Sequence, residues 1–408
     1  IHLGVSVGVT NAISYYEKWF DKGWAVIKEG LEKLKSSFKS NRFVIEGAGS
    51  PVEINLKNRD LTNLRLAKFL NAKCILVADI ERGGVFAQII GTLELMDDSE
   101  RQLIQGIIIN RFRGDLSLFK SGKDWLEKRT GIPILGILPW IDELFPPEDS
   151  LDIVDRRSKY NDAQIKIGVI KLRHLSNFSD IAPLEAEPSV KVEWIQRKKC
   201  LKDLDALVIP GSKQTIKDLN ELIESGLSGE IKHFADKGGH IFGICGGLQM
   251  MGSWLEDPFS IETGKDIKLK KIEGLKLLPL KTMFKKEKDL GQVELETIWP
   301  KSSRVKGFEM HHGITQEIDY GNNFDSLFKD KRLGWIRKRE GEGSIAGTYL
   351  HGIFDNGHWR RLWLNEIRCL RGLKDLSLNT TDYEIEKERL INKLADIFEE
   401  NIDITDIV

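Results

Sequence analysis

In the first third of the chain, short runs of β-branched and apolar residues alternate with segments whose apolar positions recur every three or four residues. The runs at 43–45, 74–79, 106–110 and 134–138 predict strands. Residues 11–38 carry an apolar stripe (Ile13, Tyr16, Trp19, Phe20, Trp24, Ile27, Leu31, Leu34) that predicts a long amphipathic helix, and helical spacing returns near 60–70 and 84–105. This alternation predicts parallel βαβ units with helices over a buried sheet. Pro146-Pro147-Glu148-Asp149-Ser150 and the charged stretch 155–162 interrupt it, so 146–163 is expected to link domain 1–145 to a second domain at 164–360. In that second series, strands are expected at 165–171, 190–194, 206–209 and 240–244, and helices at about 213–223, 228–236 and 246–254. More short strands are expected near 305–311 and 344–350, and 361–408 reads as a C-terminal helical segment. The fold class is therefore α/β, two domains each built on a mostly parallel sheet, which suits a chain of 408 residues.

Charge removes some partners. Lys and Arg number 61 against 62 Asp and Glu, a formal net charge of −1, so no general field draws the chain to nucleic acid or to an anionic membrane. No apolar run approaches the roughly 18 residues of a membrane span. The four cysteines, Cys74, Cys200, Cys245 and Cys369, stand far apart with no C-x-x-C pair, which argues against a zinc site or a disulfide framework and fits a reducing cytoplasm. A small-molecule substrate is expected. The first residues, Ile1-His2-Leu3-Gly4, are neither an initiator Met nor a charged leader, so the sequence is expected to begin inside a longer protein.

The most informative segment is Gly239-His240-Ile241-Phe242-Gly243-Ile244-Cys245-Gly246-Gly247-Leu248-Gln249-Met250-Met251, an apolar strand running through G-x-C-x-G into a helix-forming run. That is the shape of a nucleophile elbow. Glycines permit the sharp turn, the helix start favours a thiolate, and the Gly246 N–H would face a developing oxyanion. A buried structural cysteine in a Gly-rich turn is the competing reading. A nucleophilic cysteine needs an imidazole, and Gly347-Thr348-Tyr349-Leu350-His351-Gly352 supplies one at a strand end. His311 and His312, in Gly307-Phe308-Glu309-Met310-His311-His312-Gly313, compete for that role. His233, His240 and His358 lack the strand-end and glycine context.

G-x-C-x-G followed by G-T-Y-L-H-G resembles the class I glutaminase domain of glutamine amidotransferases. Pro210-Gly211-Ser212-Lys213-Gln214-Thr215 resembles the P-G-S-K-N-T loop of the cobyric acid synthase family, where the related a,c-diamide synthases carry a P-G-G loop. Ser176-Asn177-Phe178-Ser179-Asp180 and the segment 307–313 resemble further family segments. In the first half, Glu46-Gly47-Ala48-Gly49-Ser50-Pro51-Val52-Glu53-Ile54-Asn55-Leu56 is similar to the family's E-G-A-G-S-P-x-E-I-N-L, as is 78–87 to a second family segment and 110–115 to N-K-F-R-G-D. The resemblance runs in order from about residue 42 to the C-terminal helices. Two departures stand out. Many such glutaminases have H-x-E, but Ile353 occupies the acid position, so another group must orient His351. The family's phosphate-binding loop has no counterpart, since Gly122-Lys123-Asp124 and Gly264-Lys265-Asp266 place Asp where a hydroxyl is needed; the loop is expected upstream of Ile1.

The resemblance implies Cys245 and His351 as catalytic residues, with Gly211, Ser212 and Gly246 as oxyanion donors. It implies ATP and Mg²⁺ as reactants, no tightly bound cofactor, and glutamine and a corrinoid as substrates. The b, d, e and g carboxylates of adenosylcobyrinic acid a,c-diamide would be amidated through acyl phosphates. Glu46 resembles the magnesium-associated acid of a dethiobiotin-synthetase-like fold, and a solvated strand-end acid is its plain alternative. Asp79 and Arg82 would hold phosphate or corrin carboxylates, or pair with each other. Asn110 resembles a base-reading asparagine, or caps a turn. An a,c-diamide synthase and a stand-alone cysteine hydrolase are the rival readings.

Overall fold

In the computed structural model, which describes residue 3 and residues 18–38, 42–141, 160, 162–196, 200–262, 271–318, 324–329, 332–405 and 407, the first series of apolar runs forms β1 (Cys74–Asp79), β2 (Ile104–Phe112) and β3 (Ile134–Pro139). They make a parallel sheet in the order β1-β2-β3. Ile107, Ile108 and Ile109 of the central strand are all buried, as an unbroken apolar run requires when helices cover both faces. Ile89 and Leu93 of helix Val85–Leu95 and Phe119 and Leu126 of helix Leu116–Thr130 complete that core. The second of these helices starts where the Asp115 carboxylate accepts from Ser117 N–H (2.8 Å) and stops at Gly131, with φ +69°.

Two expectations change here. Residues 43–45 do not form a strand: among the described residues nothing pairs with them, and Val44 is fully exposed. The helix expected over 84–105 ends at Leu95, because Asp97 opens a new turn with a capping box to Glu100 and the chain then enters β2. The amphipathic helix is seen over Phe20–Ser37, while its expected first residues at 11–17, and most of the expected linker 146–163, lie outside the described residues.

The second series yields β4 (Ile165–Ile170), β5 (Val190–Ile195), β6 (Ala206–Ile209), β7 (His240–Ile244), β8 (Trp254–Glu256), β9 (Lys271–Glu273), β10 (Leu280–Glu296), β11 (Arg304–Glu317), β12 (Phe324–Ser326), β13 (Gly334–Arg337), β14 (Ile345–Thr348) and β15 (Leu350–His351). Among the described residues they form a seven-stranded sheet, β12-β13-β14-β7-β6-β4-β5, parallel from β14 to β5. A second, five-stranded sheet runs β15-β11-β10-β8-β9 around the long antiparallel pair of β10 and β11. In the second sheet β11 covers the strand expected near 305–311, whereas β10 is not foreseen by the sequence pattern. By compactness the chain divides into Ile1–Glu143 with Asn392–Val408, and Leu144–Ile391. The boundary expected at 360/361 falls inside helix Gly357–Leu370, whose Trp359, Trp363 and Leu364 lie in the core of the second unit. Among the described residues no helix is long and apolar enough to cross a membrane.

Because β6, β7 and β14 are neighbours, the chain leaves the same edge of the sheet at Pro210, Cys245 and Tyr349. Every residue of these three strands is buried, so the sheet fixes the positions from which the next residues project.

Candidate active site

Cys245 follows β7 with φ +50° and ψ −106°, a conformation costly for a residue with a side chain. It is held there by its N–H donating to the Thr348 carbonyl (2.7 Å) and its own carbonyl accepting from Gln249 N–H (3.0 Å). The sulfur is 7% exposed at the residue level and lies 3.6 Å from the Met310 carbonyl oxygen of β11. Gly247 has no room for a side chain, since a Cβ there would overlap the Ile209 carbonyl at the end of β6. The turn is thus the strained strand-to-helix elbow that G-x-C-x-G predicts.

His351 leaves β15 toward the same point. Its Nδ1 lies 2.8 Å from Asp180 Oδ2, and the other carboxylate oxygen accepts from Gly352 N–H at 2.8 Å. His351 is 1% exposed and Asp180 3%. The Asn177 amide lies 3.0 Å from the same Nδ1, and the Phe308 ring stacks on the imidazole with centroids 5.0 Å apart. With Nδ1–H engaged by the carboxylate, Nε2 is left for the sulfur. Burial lowers the His351 pKa, but the charge and hydrogen bond of Asp180, and those of Cys245, more than offset it and raise it to about 10. Asp180 places on the His351 ring the carboxylate that Ile353 cannot supply. It comes from the segment 176–180, whose family resemblance carried no role at the level of sequence.

Of the competing histidines, His312 keeps a buried Nδ1 with no hydrogen-bond partner among the described residues, and His311 is engaged elsewhere. His311 stacks on Tyr349 (3.8 Å between centroids), with Nδ1 2.9 Å from the Gly313 carbonyl and Nε2 3.3 Å from Glu309, and burial lowers its pKa. Tyr349 in turn joins Gln249 Nε2 (3.1 Å) and Thr315 Oγ1 (2.5 Å), and burial pushes its hydroxyl up to about 12. That network is tied to the Cys245 turn through Gln249, on the helix that follows it.

Gly211 and Ser212 lie over Cys245. A Cβ on Gly211 would be 3.5 Å from His351 Cε1 and 3.8 Å from Cys245 Cβ, and one on Gly246 would sit 2.8 Å from Ser212 N. Ser212 and Gly246 therefore present neighbouring backbone N–H groups, and neither donates to another group among the described residues. Two free donors beside a buried sulfur, with a histidine cation opposite, are suited to an oxyanion formed by attack on an amide.

The other candidates occupy the first unit. Asp79 ends β1 and pairs in register with Asn110 of β2. Asp79 Oδ1 accepts from Glu81 N–H (2.8 Å), and its Oδ2 pairs with Arg111 (3.2 Å), not with Arg82 as the alternative reading allowed. Arg82 is exposed and has no ion pair among the described residues. Asn110 Oδ1 accepts from Arg111 N–H (2.9 Å), the local turn cap considered above. Arg111, at φ +62°, also reaches Glu81 (3.3 Å), and Arg113 lies over the Trp140 ring at 3.5 Å. Glu46 is exposed, and its loop is clasped by Asn63, which accepts from Ala48 N–H (3.0 Å) and donates to the Ala48 carbonyl (2.8 Å). No group of three His, Cys, Asp or Glu converges among the described residues. Mg²⁺ that arrives with a nucleotide needs only one or two protein carboxylates beside phosphate and water, so a single Glu46 carboxylate fits it.

A family model of CobB/CobQ-like glutamine amidotransferase domains matches residues 166–359, and one of AAA domains matches residues 21–148. The chain is 55% identical over 411 residues to the cobyric acid synthase of Prochlorococcus marinus strain MIT 9313, covering 100% of this chain and 82% of that protein. It is 55% identical over 408 residues to that of strain NATL1A, covering 99% of this chain and 82% of that protein.

Proposed function

The chain belongs to the cobyric acid synthase family, and from that premise we propose that it frees ammonia from glutamine at Cys245 and uses it to amidate the b, d, e and g carboxylates of adenosylcobyrinic acid a,c-diamide. It is a glutamine-hydrolysing amidotransferase of cobalamin biosynthesis, and its AAA-type domain suits ATP use. The observation that carries the proposal is the buried set of Cys245 in its strained turn, His351 and Asp180.

In this reading, Cys245 has given its thiol proton to His351, and the resulting thiolate Sγ attacks the carboxamide carbon of glutamine. The carbonyl oxygen becomes an oxyanion facing the N–H groups of Ser212 and Gly246, with the Gly211 N–H beside them. The His351 cation donates its Nε2 proton to the departing nitrogen, and ammonia leaves a glutamyl thioester on Cys245. Neutral His351 then takes a proton from water, whose oxygen attacks the thioester; glutamate and the free cysteine result. Asp180 keeps the ring in the tautomer and orientation that both steps use.

A carboxylate does not exchange oxide for ammonia, so ATP must first phosphorylate it. Ammonia then displaces phosphate to give the amide. Glu46 would hold the magnesium that accompanies the nucleotide and supplies charge neutralisation, while Asp79, Arg82 and Asn110 would line the nucleotide and corrin side. The test is incubation with glutamine, ATP, Mg²⁺ and the corrin diamide, followed by mass and positional analysis of the product. Glutamate release with amidation of b, d, e and g supports the reading. Amidation confined to the a and c positions would hand it to the a,c-diamide synthase alternative, and turnover of other amides without ATP to a cysteine hydrolase.

A further inference from the structure

We infer that Asp218, which no motif above singles out, is a positioning residue of the glutaminase site: its buried carboxylate ties the oxyanion loop at Ser212 to the backbone and ring of His174. The inference deepens the glutaminase reading and rests on it.

Asp218 lies in the first turn of helix Thr215–Glu224, and its side chain is 0% exposed. A carboxylate so buried must be satisfied by donors. Ser212 Oγ donates to its Oδ2 at 2.6 Å, and His174 Nδ1 lies 2.7 Å from Oδ1. The His174 backbone N–H points at both oxygens, at 3.2 and 3.3 Å. Ser212 Oγ also accepts from Gln214 N–H (2.9 Å), so one hydroxyl closes the loop on itself and anchors it to the helix.

The segment after β4 is held to the same loop by backbone. Ser176 N–H donates to the Gly211 carbonyl (3.0 Å) and Lys213 N–H to the His174 carbonyl (2.7 Å), which leaves the N–H of Ser212 between them unused. That unused donor is the one beside Gly246. Three residues beyond His174, Asn177 touches His351, and Asp180 orients it. The carboxylate of Asp218 thus holds together the two segments that frame the sulfur, although it touches neither substrate nor nucleophile. An oxyanion donor displaced by a fraction of an ångström loses much of its effect on the transition state while the ground state binds as before.

The test compares the parent with Asp218→Asn and with Ser212→Ala, which keeps the backbone N–H and removes only the tether. Glutamine hydrolysis is measured as separate kcat and KM, beside the rate at which iodoacetamide alkylates Cys245, a displacement that forms no oxyanion. The expected result is a fall in kcat of about 10²-fold for Asp218→Asn and about tenfold for Ser212→Ala. KM and the alkylation rate should stay within about twofold of the parent. Parental kcat in either variant overturns the inference, and so does alkylation that falls in step with kcat, which would mark a general loss of structure. If Asp218→Asn does not fold, Ser212→Ala decides alone by the same split. A parent that releases no glutamate from glutamine refutes the glutaminase reading instead, so the two failures are distinguishable.

Discussion

A histidine at 1% exposure would ordinarily be neutral, because burial disfavours the cation. His351 departs from this because Asp180 and the Cys245 sulfur face it from two sides, and its pKa rises from 6.5 to about 10. The sign follows for stability: a folded-state pKa above the unfolded one contributes fully below pH 6.5 and is lost as pH rises through about 10. In the proposed mechanism the same cation is the acid that releases ammonia, so glutamine hydrolysis should hold across neutral pH and fall on an alkaline limb near pH 10. Asp180→Asn removes the anion, so it should move that limb toward lower pH and reduce kcat by roughly 10²-fold or more. A pH–rate profile of the two proteins decides it; an unmoved limb would leave Asp180 a purely structural acid. Cys245 and His351 are legible in the sequence because each sits at the end of an apolar strand inside glycines. Asp180 is not, because its relation to His351 spans 171 residues and depends on where two loops meet.

At the scale of elements, apolar runs foretell buried parallel strands well: β6 and β7 fall on the expected residues, since such strands are apolar on both faces, and the half-buried edge strand β1 does so too. The strand β10 escapes for the opposite reason. Leu280, Thr282 and Phe284 alternate inward, but Lys285 to Asp289 are charged and the register shifts there, so pairing with β11 rather than its own pattern keeps the strand extended. Loops around the sites follow from single contacts. A Cβ on Gly211 would stand 2.6 Å from Ser176 Oγ, so Gly211→Val should push the loop off Ser212 and cut glutamine hydrolysis by about 10²- to 10³-fold, measured as kcat. Near-parental turnover would remove the loop from the mechanism. In the first unit, Asn63→Ala deletes the clasp on the Glu46 loop. On an exposed loop this should cost only about 1 kcal/mol of stability, yet lower ATP-dependent amidation with ammonia while leaving glutamate release intact. Equal loss of both activities would point to misfolding instead.

At the scale of the molecule, the two chemistries draw on different cores. The Cys245 set rests on the apolar core around Val208, Phe242 and Trp363, and the Glu46, Asp79 and Asn110 set belongs to the unit whose core centres on Ile107 and Ile109. Substitutions at one set should therefore leave the other standing, and the two half-reactions should separate in the intact protein. Cys245→Ala removes the only thiol in the elbow, so glutamine-dependent synthesis should be abolished, because no other residue there can form the thioester. His351→Ala should behave in the same way. Excess ammonium salt bypasses that step and should restore ATP-dependent amidation of the corrin to both variants. Glu46→Gln keeps the shape and removes the charge, so it should impair amidation from either nitrogen source by weakening the magnesium and phosphate site. Glutamate release measured beside corrin amidation, with glutamine or ammonium as donor, reads every arm in one assay. Synthesis from glutamine at the parental rate by Cys245→Ala would make the cysteine a core residue, and ammonium that fails to rescue it would mean the elbow also serves the synthetase step.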